Sequence, residues 1–178
     1  GIRDIGVTGV QTCALPIFIL SKSIVGISDY VQEIGPDLIV VHGDRIEAFA
    51  AAIVGNFRNI LVLHIEGGEV SSTIDEVMRH SITKLSHIHC VSNKTARNRV
   101  LSMGENPNSV FEIGSPEVDI MFSSEIPSLS EVTKHYEIPF NEFAIFLYHP
   151  VSNELENLKT NLETMKKILE NTNNNFIV

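Results

Sequence analysis

Apolar and polar positions alternate in blocks along this chain, and the block type switches repeatedly between two periods. Ile24, Ile27, Tyr30, Val31 and Ile34 recur at three- and four-residue spacing, which predicts a helix over 21–34. Gly35-Pro36-Asp37 stops it. Leu38–Val41 is wholly apolar and β-branched, the pattern of a strand buried on both faces. An Ala-rich helix over 45–57, a second buried strand over 60–65 and a helix over 73–86 come next. The last of these opens with a capping-box pattern, Thr73-x-x-Glu76. A third strand over 87–91 leads to a helix capped by Asn93 and ending at Gly104, and a fourth strand covers 110–113. Short strands alternating with helices predict an α/β fold built on a Rossmann-like parallel sheet.

The texture changes after Ser115-Pro116. Residues 123–130 are rich in Ser and Pro and read as a linker; a short helix over 130–136 succeeds it. A strand over 142–148 and a helix over 153–171 come next, the helix carrying Leu155, Leu158, Leu162, Met165 and Leu169 at helical spacing. Asn173–Val178 reads as a helix stop and the opening of a further strand, which suggests truncation. The first residues stand apart. Val7–Ile17 (VTGVQTCALPI) resembles an in-frame translation of a sequencing adapter, so residues 1–17 are expected to be non-native and are set aside. The expected organisation is therefore a partial Rossmann-like domain over 18–124, a linker region over 125–141 and the start of a second such domain over 142–178, truncated at both ends.

Composition narrows the function. Of 178 residues 43% are hydrophobic and 20% charged, a globular balance. The formal net charge of -9 argues against nucleic acid or an anionic membrane as the main partner, since both call for clustered Lys and Arg. No apolar run reaches the roughly 18 residues of a spanning helix. Cys13 and Cys90 form no CxxC pair and no disulfide framework, which fits a reduced, cytoplasmic compartment.

Candidate chemistry sits where the first two strands end. One delivers His42-Gly43-Asp44-Arg45, the other His64-Ile65-Glu66-Gly67-Gly68-Glu69. Ligands of open parallel sheets bind beyond the carboxyl ends of strands. If the two strands are neighbours, Asp44 and Glu66 project from one edge, and their mutual repulsion would suit acid/base work. The glycines beside Glu66 allow close backbone approach to a ligand. Asp44 could equally cap the following helix, and His42 and His64 could be core histidines, the favoured reading for His64. On the helix after Thr73, Asp75 and Arg79 form an i,i+4 pair on one flank, with Asp75 in the first turn as a possible third carboxylate. Glu76 reads as part of the cap. His149 ends the strand of the second domain and would face a cleft. No metal-ligand spacing, Walker loop, GxGxxG or GxSxG elbow occurs.

The segments DLIVVHGDR (from Asp37), HIEGGEVSSTIDEVMRHSITKLSHIHCVS (from His64), IGSPEVD (from Ile113) and HPVSNE (from His149) resemble the hydrolysing UDP-N-acetylglucosamine 2-epimerases of sialic-acid biosynthesis. The resemblance implies a two-domain GT-B-like fold, a UDP-sugar substrate in the cleft, a homo-oligomer at full length, and no metal or other cofactor. It implies elimination of UDP to an acetamidoglucal, then addition of water with inversion at carbon 2. By motif, Asp44, Glu66 and Asp75 match the family's catalytic carboxylates. His149 matches a histidine assisting the departing diphosphate. His42, Arg45, Gly67, Gly68 and Arg79 are expected to line the substrate. The family's opening strand and its Gly-Thr-Arg loop would precede Phe18, so the isolated chain is expected to be inactive. A related epimerase on a modified sugar nucleotide, such as UDP-diacetylbacillosamine, and a non-catalytic sugar-nucleotide-binding homologue are the alternatives.

Overall fold

The fold was obtained as a computed structural model, which describes residues 10–71, 74–148 and 157–178; the side chains of residues 10–14 are not described. These residues divide into two compact units, the first ending in the chain at Ser124 and the second beginning at Glu125.

In the first unit the elements run α1 (Val10–Ile34), β1 (Leu38–His42), α2 (Ile46–Phe57), β2 (Leu61–Ile65), α3 (Ile74–Leu85), β3 (Ile88–Val91), α4 (Lys94–Ser102), β4 (Val110–Glu112) and α5 (Pro116–Met121). The four strands form one sheet in the order β1-β2-β3-β4, and every pairing is parallel. Each strand thus lies beside the one before it, joined by a helical crossover. Right-handed crossovers that all advance in one direction put their helices on one face.

Register shows which face. Val41, His64, His89 and Val110 stand side by side across the sheet. All four are buried, and so are Val62 and Val91, which stand two residues from His64 and His89 on the same face. Against this face α2 and α3 press Ala52 and Ile82, with Phe49 and Leu85 at the margin, while α4 presses Ala96 and Val100 against Val91 and Val110. Burying a side chain such as Ile82 contributes about 2–3 kcal/mol. Gly55 allows α2 to lie directly on β2, because a Cβ there would stand 2.5 Å from a methyl group of Val62.

The opposite face differs from expectation. Leu38, Val40, Leu61 and Phe111 are exposed there, so the strands are buried on one face and not on two. The reason is the one-directional strand order, which sends α2, α3 and α4 to the same side. Three local differences accompany it. The helix expected over 21–34 is the C-terminal part of a longer α1 that also takes in Pro16. Ser115-Pro116 opens a helix, α5, where the sequence pattern shows only a change of texture. Finally, the N-cap of α2 is Arg45, not Asp44, and no side chain caps it.

The second unit contains α6 (Leu129–His135), β5 (Ala144–Ile145), α7 (Leu158–Glu170) and β6 (Phe176–Ile177). Ser128 and Glu131 close a reciprocal capping box on α6. The strands β5 and β6 pair in parallel on either side of α7, a single strand–helix–strand step. The strand expected over 142–148 shortens to the two residues that find a partner. Among the described residues no helix is long and apolar enough to cross a membrane.

Candidate functional site

Backbone bonds carry the parallel ladder past the strand ends and so set the loops beyond them. Gly43 N–H donates to the Ile65 carbonyl at 3.0 Å, Glu66 N–H to Cys90 at 2.8 Å, and Ile113 N–H to Val91 at 2.9 Å. Asp44, Glu66 and Ser115 are therefore brought to one edge of the sheet. His42, Gly43, Asp44, Arg45, Glu66, Glu69, Arg79 and Glu117 line a cleft there of about 330 Å³.

Adjacency of the two motif-bearing strands, on which the pairing of Asp44 with Glu66 depends, is present. The two carboxylates do not share a donor, however. Asp44 pairs with the guanidinium of Arg79, and that guanidinium also donates to the Glu69 carbonyl at 2.9 Å. Arg79, expected as a flank partner of Asp75, thus reaches the end of β1. Glu66 takes a different donor, His42 Nε2, at 2.7 Å. A carboxylate only accepts, so Nε2 carries the hydrogen in this contact. Glu66 also takes the Ser115 hydroxyl on its other oxygen at 2.7 Å. Its backbone lies in the left-handed region, φ 63°, a conformation that costs a non-glycine residue about 1 kcal/mol or more.

The loop after β1 is held from below. Buried His64 donates from Nε2 to the Gly43 carbonyl at 2.8 Å, and its Nδ1 faces the Thr83 hydroxyl at 3.2 Å. Burial pushes the His64 imidazole down to about 4, so it stays neutral at pH 7 with the Nε2–H tautomer. His64 is thus the core histidine the sequence favours, and it supports the loop that presents Asp44. His42, by contrast, is half exposed and belongs to the cleft.

The remaining candidates fall in several places. Gly67 and Gly68 are not on the cleft wall: a Cβ on Gly67 would stand 2.9 Å from both His64 Nδ1 and Thr83 Oγ1, and one on Gly68 would stand 2.5 Å from the Ala96 carbonyl oxygen. The close approach these glycines allow is to the protein's own core and α4. Arg45 lines the cleft but is largely exposed, 3.8 Å from Glu47. Asp75 opens onto a neighbouring cleft of about 710 Å³, which shares Asp44 and Arg45 with the first. Glu76 accepts from Ser71 N–H at 2.9 Å, in keeping with a capping role; Thr73 lies outside the described residues. His149 also lies outside them.

Three further residues line or brace the cleft: Glu69, which the sequence places in the second strand-end cluster without a role, and Ser115 and Glu117, to which it gives none. Glu69 accepts from Ser92 at 2.6 Å and from Asn93 at 2.7 Å, tying the β2 loop to the start of α4. Ser115 and Glu117 complete the cleft beyond β4, with the Ser115 hydroxyl 2.6 Å from Glu117. That bond is the chief reason the Glu117 carboxyl lies below its ordinary range. The rule that selects 42–45 and 64–69, polar residues directly after a strand end, finds this pair too when it is applied to β4. One ligand atom each from His42, Glu66 and Glu117 lies within 4.8 Å of the others, a spacing that a divalent cation could span. These donors already bond to one another and to Ser115, and the group is a hydrogen-bonded network rather than an identified metal centre.

Comparison with known proteins agrees with this geometry. The sequence profile described as UDP-N-acetylglucosamine 2-epimerase matches residues 16–178. The UDP-N-acetylglucosamine 2-epimerase of Neisseria meningitidis serogroup B is 45% identical over 159 residues, covering 89% of this chain and 42% of that protein. A UDP-N,N'-diacetylbacillosamine 2-epimerase (hydrolyzing) of Legionella pneumophila is 32% identical over 147 residues, covering 82% of this chain and 39% of that one. The chain thus spans less than half the length of these relatives. A crystal structure of UDP-GlcNAc 2-epimerase from Neisseria meningitidis bound to UDP-GlcNAc superposes with a TM-score of 0.76 at 23% identity, covering 98% of this chain and 49% of that one. The parallel sheet, the carboxylate-lined cleft at its carboxyl edge and the profile match over residues 16–178 together place this chain in the UDP-N-acetylglucosamine 2-epimerase family.

Proposed function

We propose that the protein to which this chain belongs is a hydrolysing 2-epimerase, converting UDP-N-acetylglucosamine and water into N-acetylmannosamine and UDP. The observation that carries the reading is the placement of Asp44 and Glu66 at the ends of adjacent parallel strands on one cleft, each with its own donor. In the first step a carboxylate removes the proton from carbon 2. The C–H electron pair becomes the C1–C2 double bond, and UDP leaves with the electrons of the C1–O bond. In the second step water adds its hydroxyl to carbon 1 and a proton enters carbon 2 from the opposite face. Such chemistry needs a fixed base, a directed proton and donors aimed at the leaving phosphate. Glu66, with one oxygen on His42 and the other on Ser115, is a fixed carboxylate; Asp44 is fixed by Arg79. Asp75 on the adjoining cleft and His149 keep the roles the resemblance gives them, as third carboxylate and diphosphate contact. Arg45, exposed beside Asp44, is the cation suited to a phosphate.

The open reading frame that encodes this chain, expressed in full, should release free N-acetylmannosamine and an equal amount of UDP from UDP-N-acetylglucosamine, with the products read by NMR. Asp44→Asn should abolish both products. Intact substrate with a folded wild-type enzyme refutes the assignment. The 178-residue chain by itself should show no turnover. A second reading, the same reaction on a diacetamido sugar nucleotide, is favoured by the Legionella relative and by a GDP/UDP-N,N'-diacetylbacillosamine 2-epimerase (hydrolyzing) of Campylobacter jejuni at 31% identity. Running the assay with that sugar nucleotide separates the two.

A further inference from the structure

Glu66 holds a difficult position. Its backbone is left-handed, its side chain leaves the sheet edge beside a Gly-Gly turn, and its carboxylate faces a cleft that also contains Asp44, Glu69 and Glu117. A glutamate side chain is flexible, and fixing it costs entropy that contacts must offset. Two contacts do so, and they come from opposite sides. His42, at the end of β1, binds Oε2 at 2.7 Å, and Ser115, after β4, binds Oε1 at 2.7 Å. Ser115 is separated from Glu66 by 49 positions in sequence, so the contact is purely tertiary.

Ser115 has one hydroxyl hydrogen and two carboxylate neighbours, Glu66 at 2.7 Å and Glu117 at 2.6 Å. Its two oxygen contacts cannot both be donated at once. Glu117 in turn lies 3.8 Å from His42 Nε2, closing the ring His42–Glu66–Ser115–Glu117. Charged groups facing this ring are Asp44 with Arg79 from β1 and α3, Arg45, and Glu69 from the β2 loop; below it lies the neutral His64. The ring thus offers Glu66 a donor at each oxygen, His42 Nε2 at Oε2 and, when its hydrogen is turned from Glu117, the Ser115 hydroxyl at Oε1.

We propose that Ser115 and Glu117 are positioning residues for Glu66: the Ser115 hydroxyl, shared between the two glutamates, and the Glu117 carboxylate, close to His42, hold the Glu66 carboxylate in the one orientation from which it faces the substrate. The proposal rests on the epimerase reading for its consequence in catalysis, but the positioning itself is a property of the unliganded chain. Both residues act through Glu66 and not on the substrate, so both affect the rate of the chemical step and have little effect on binding.

Two measurements test it, and they fail separately. In the chain as it stands, NMR couplings across the χ1 bond of Glu66 should report a single rotamer, and Ser115→Ala should give rotamer averaging. Ser115→Thr, which keeps the hydroxyl, should restore the single rotamer, and Glu131→Gln on α6 should have no effect. A Glu66 side chain that already averages in the wild type, or one unmoved by Ser115→Ala, overturns the proposal whatever the substrate is. In the enzyme from the full reading frame, Ser115→Ala and Glu117→Gln should each lower kcat about tenfold or more with KM within about threefold. Ser115→Thr should recover most of the rate. Unchanged kcat in both variants, with wild-type turnover present, overturns it as well. Absence of wild-type turnover together with a fixed, Ser115-dependent Glu66 rotamer refutes the epimerase reading and leaves the positioning intact.

Discussion

Replacing Gly68 by alanine tests how the loop that carries Glu66 is seated. The residue has φ +84°, and an alanine Cβ built there would lie 2.5 Å from the Ala96 carbonyl oxygen and 2.8 Å from a Val100 methyl group. Two costs result. Left-handed backbone costs an L-residue roughly 1–2 kcal/mol. Overpacking costs roughly 1–3 kcal/mol, and here relief is difficult because the obstructing atom belongs to the backbone of α4. That helix is itself anchored, with Ala96 and Val100 packed on Val91 and Val110. The sum is about 2–5 kcal/mol, a large share of the roughly 5–15 kcal/mol typical of a domain. Gly104 is the matched control: φ is +89°, but nothing lies within 4 Å of its added Cβ, so Gly104→Ala should cost only the roughly 1–2 kcal/mol of backbone strain. Urea titration monitored by circular dichroism, with comparable slopes for wild type and both variants, measures both costs. If Gly68→Ala is no worse than Gly104→Ala, the β2 loop does not pack on α4 as described, and the account of how Glu66 is held falls with it.

Further predictions concern the support of the cleft. His64 has its folded midpoint at about 4 against 6.5 for a free imidazole, so the unfolded chain takes up the proton first. Its stabilising contribution is complete above pH 6.5 and is lost as pH falls toward 4. Between those limits wild type should lose up to about 3 kcal/mol more than His64→Gln, read from urea midpoints at several pH values; equal losses would refute the buried neutral histidine. Arg79→Ala removes the guanidinium from Asp44 and a donor from the Glu69 carbonyl, and a double-mutant cycle with Asp44→Ala should return a coupling of about 1–3 kcal/mol, below the value of a fully buried pair because Asp44 is partly exposed. A coupling near zero would show that the pair does not hold the β1 loop. Gly26→Ala in the middle of α1, where nothing lies within 4 Å, should stabilise by about 0.5–1 kcal/mol, and a loss of stability would show that α1 packs more closely at that point.

Most of the element order of the first unit, and the gathering of candidate carboxylates at one strand edge, were legible in the chain itself. Leu38–Val41 is an apolar run bounded by Pro, Asp, His and Gly, and Ile60–Ile65 is apolar but for His64 and is followed by Glu66-Gly67; a strand accommodates both patterns at that length. Because parallel strands deliver their following loops to one edge, the polar groups after two such runs had to gather there, which is why Asp44, Glu66 and His42 can be found from spacing. The choice of partner lies beyond that reasoning. Arg79 looks like the i,i+4 partner of Asp75, yet the register of β1 on β2 and the seating of α3 aim it at Asp44. Gly67 and Gly68 read as ligand-facing, and only the packing of α4 and the buried His64 show that protein atoms fill the space beside them. Exposure of Leu38, Val40, Leu61 and Phe111 is hidden for a related reason: periodicity tells that both sides of a strand are apolar, but strand order decides which side receives the helices. Ser115 meets Glu66 across 49 residues, and no local signal encodes such a contact. The sequence by itself therefore determined most of the elements of the first unit, the edge and the kinds of chemical group, because these depend on local periodicity and strand direction. The tertiary structure decided which donor serves which carboxylate, because that depends on distances set by packing between segments far apart in the chain.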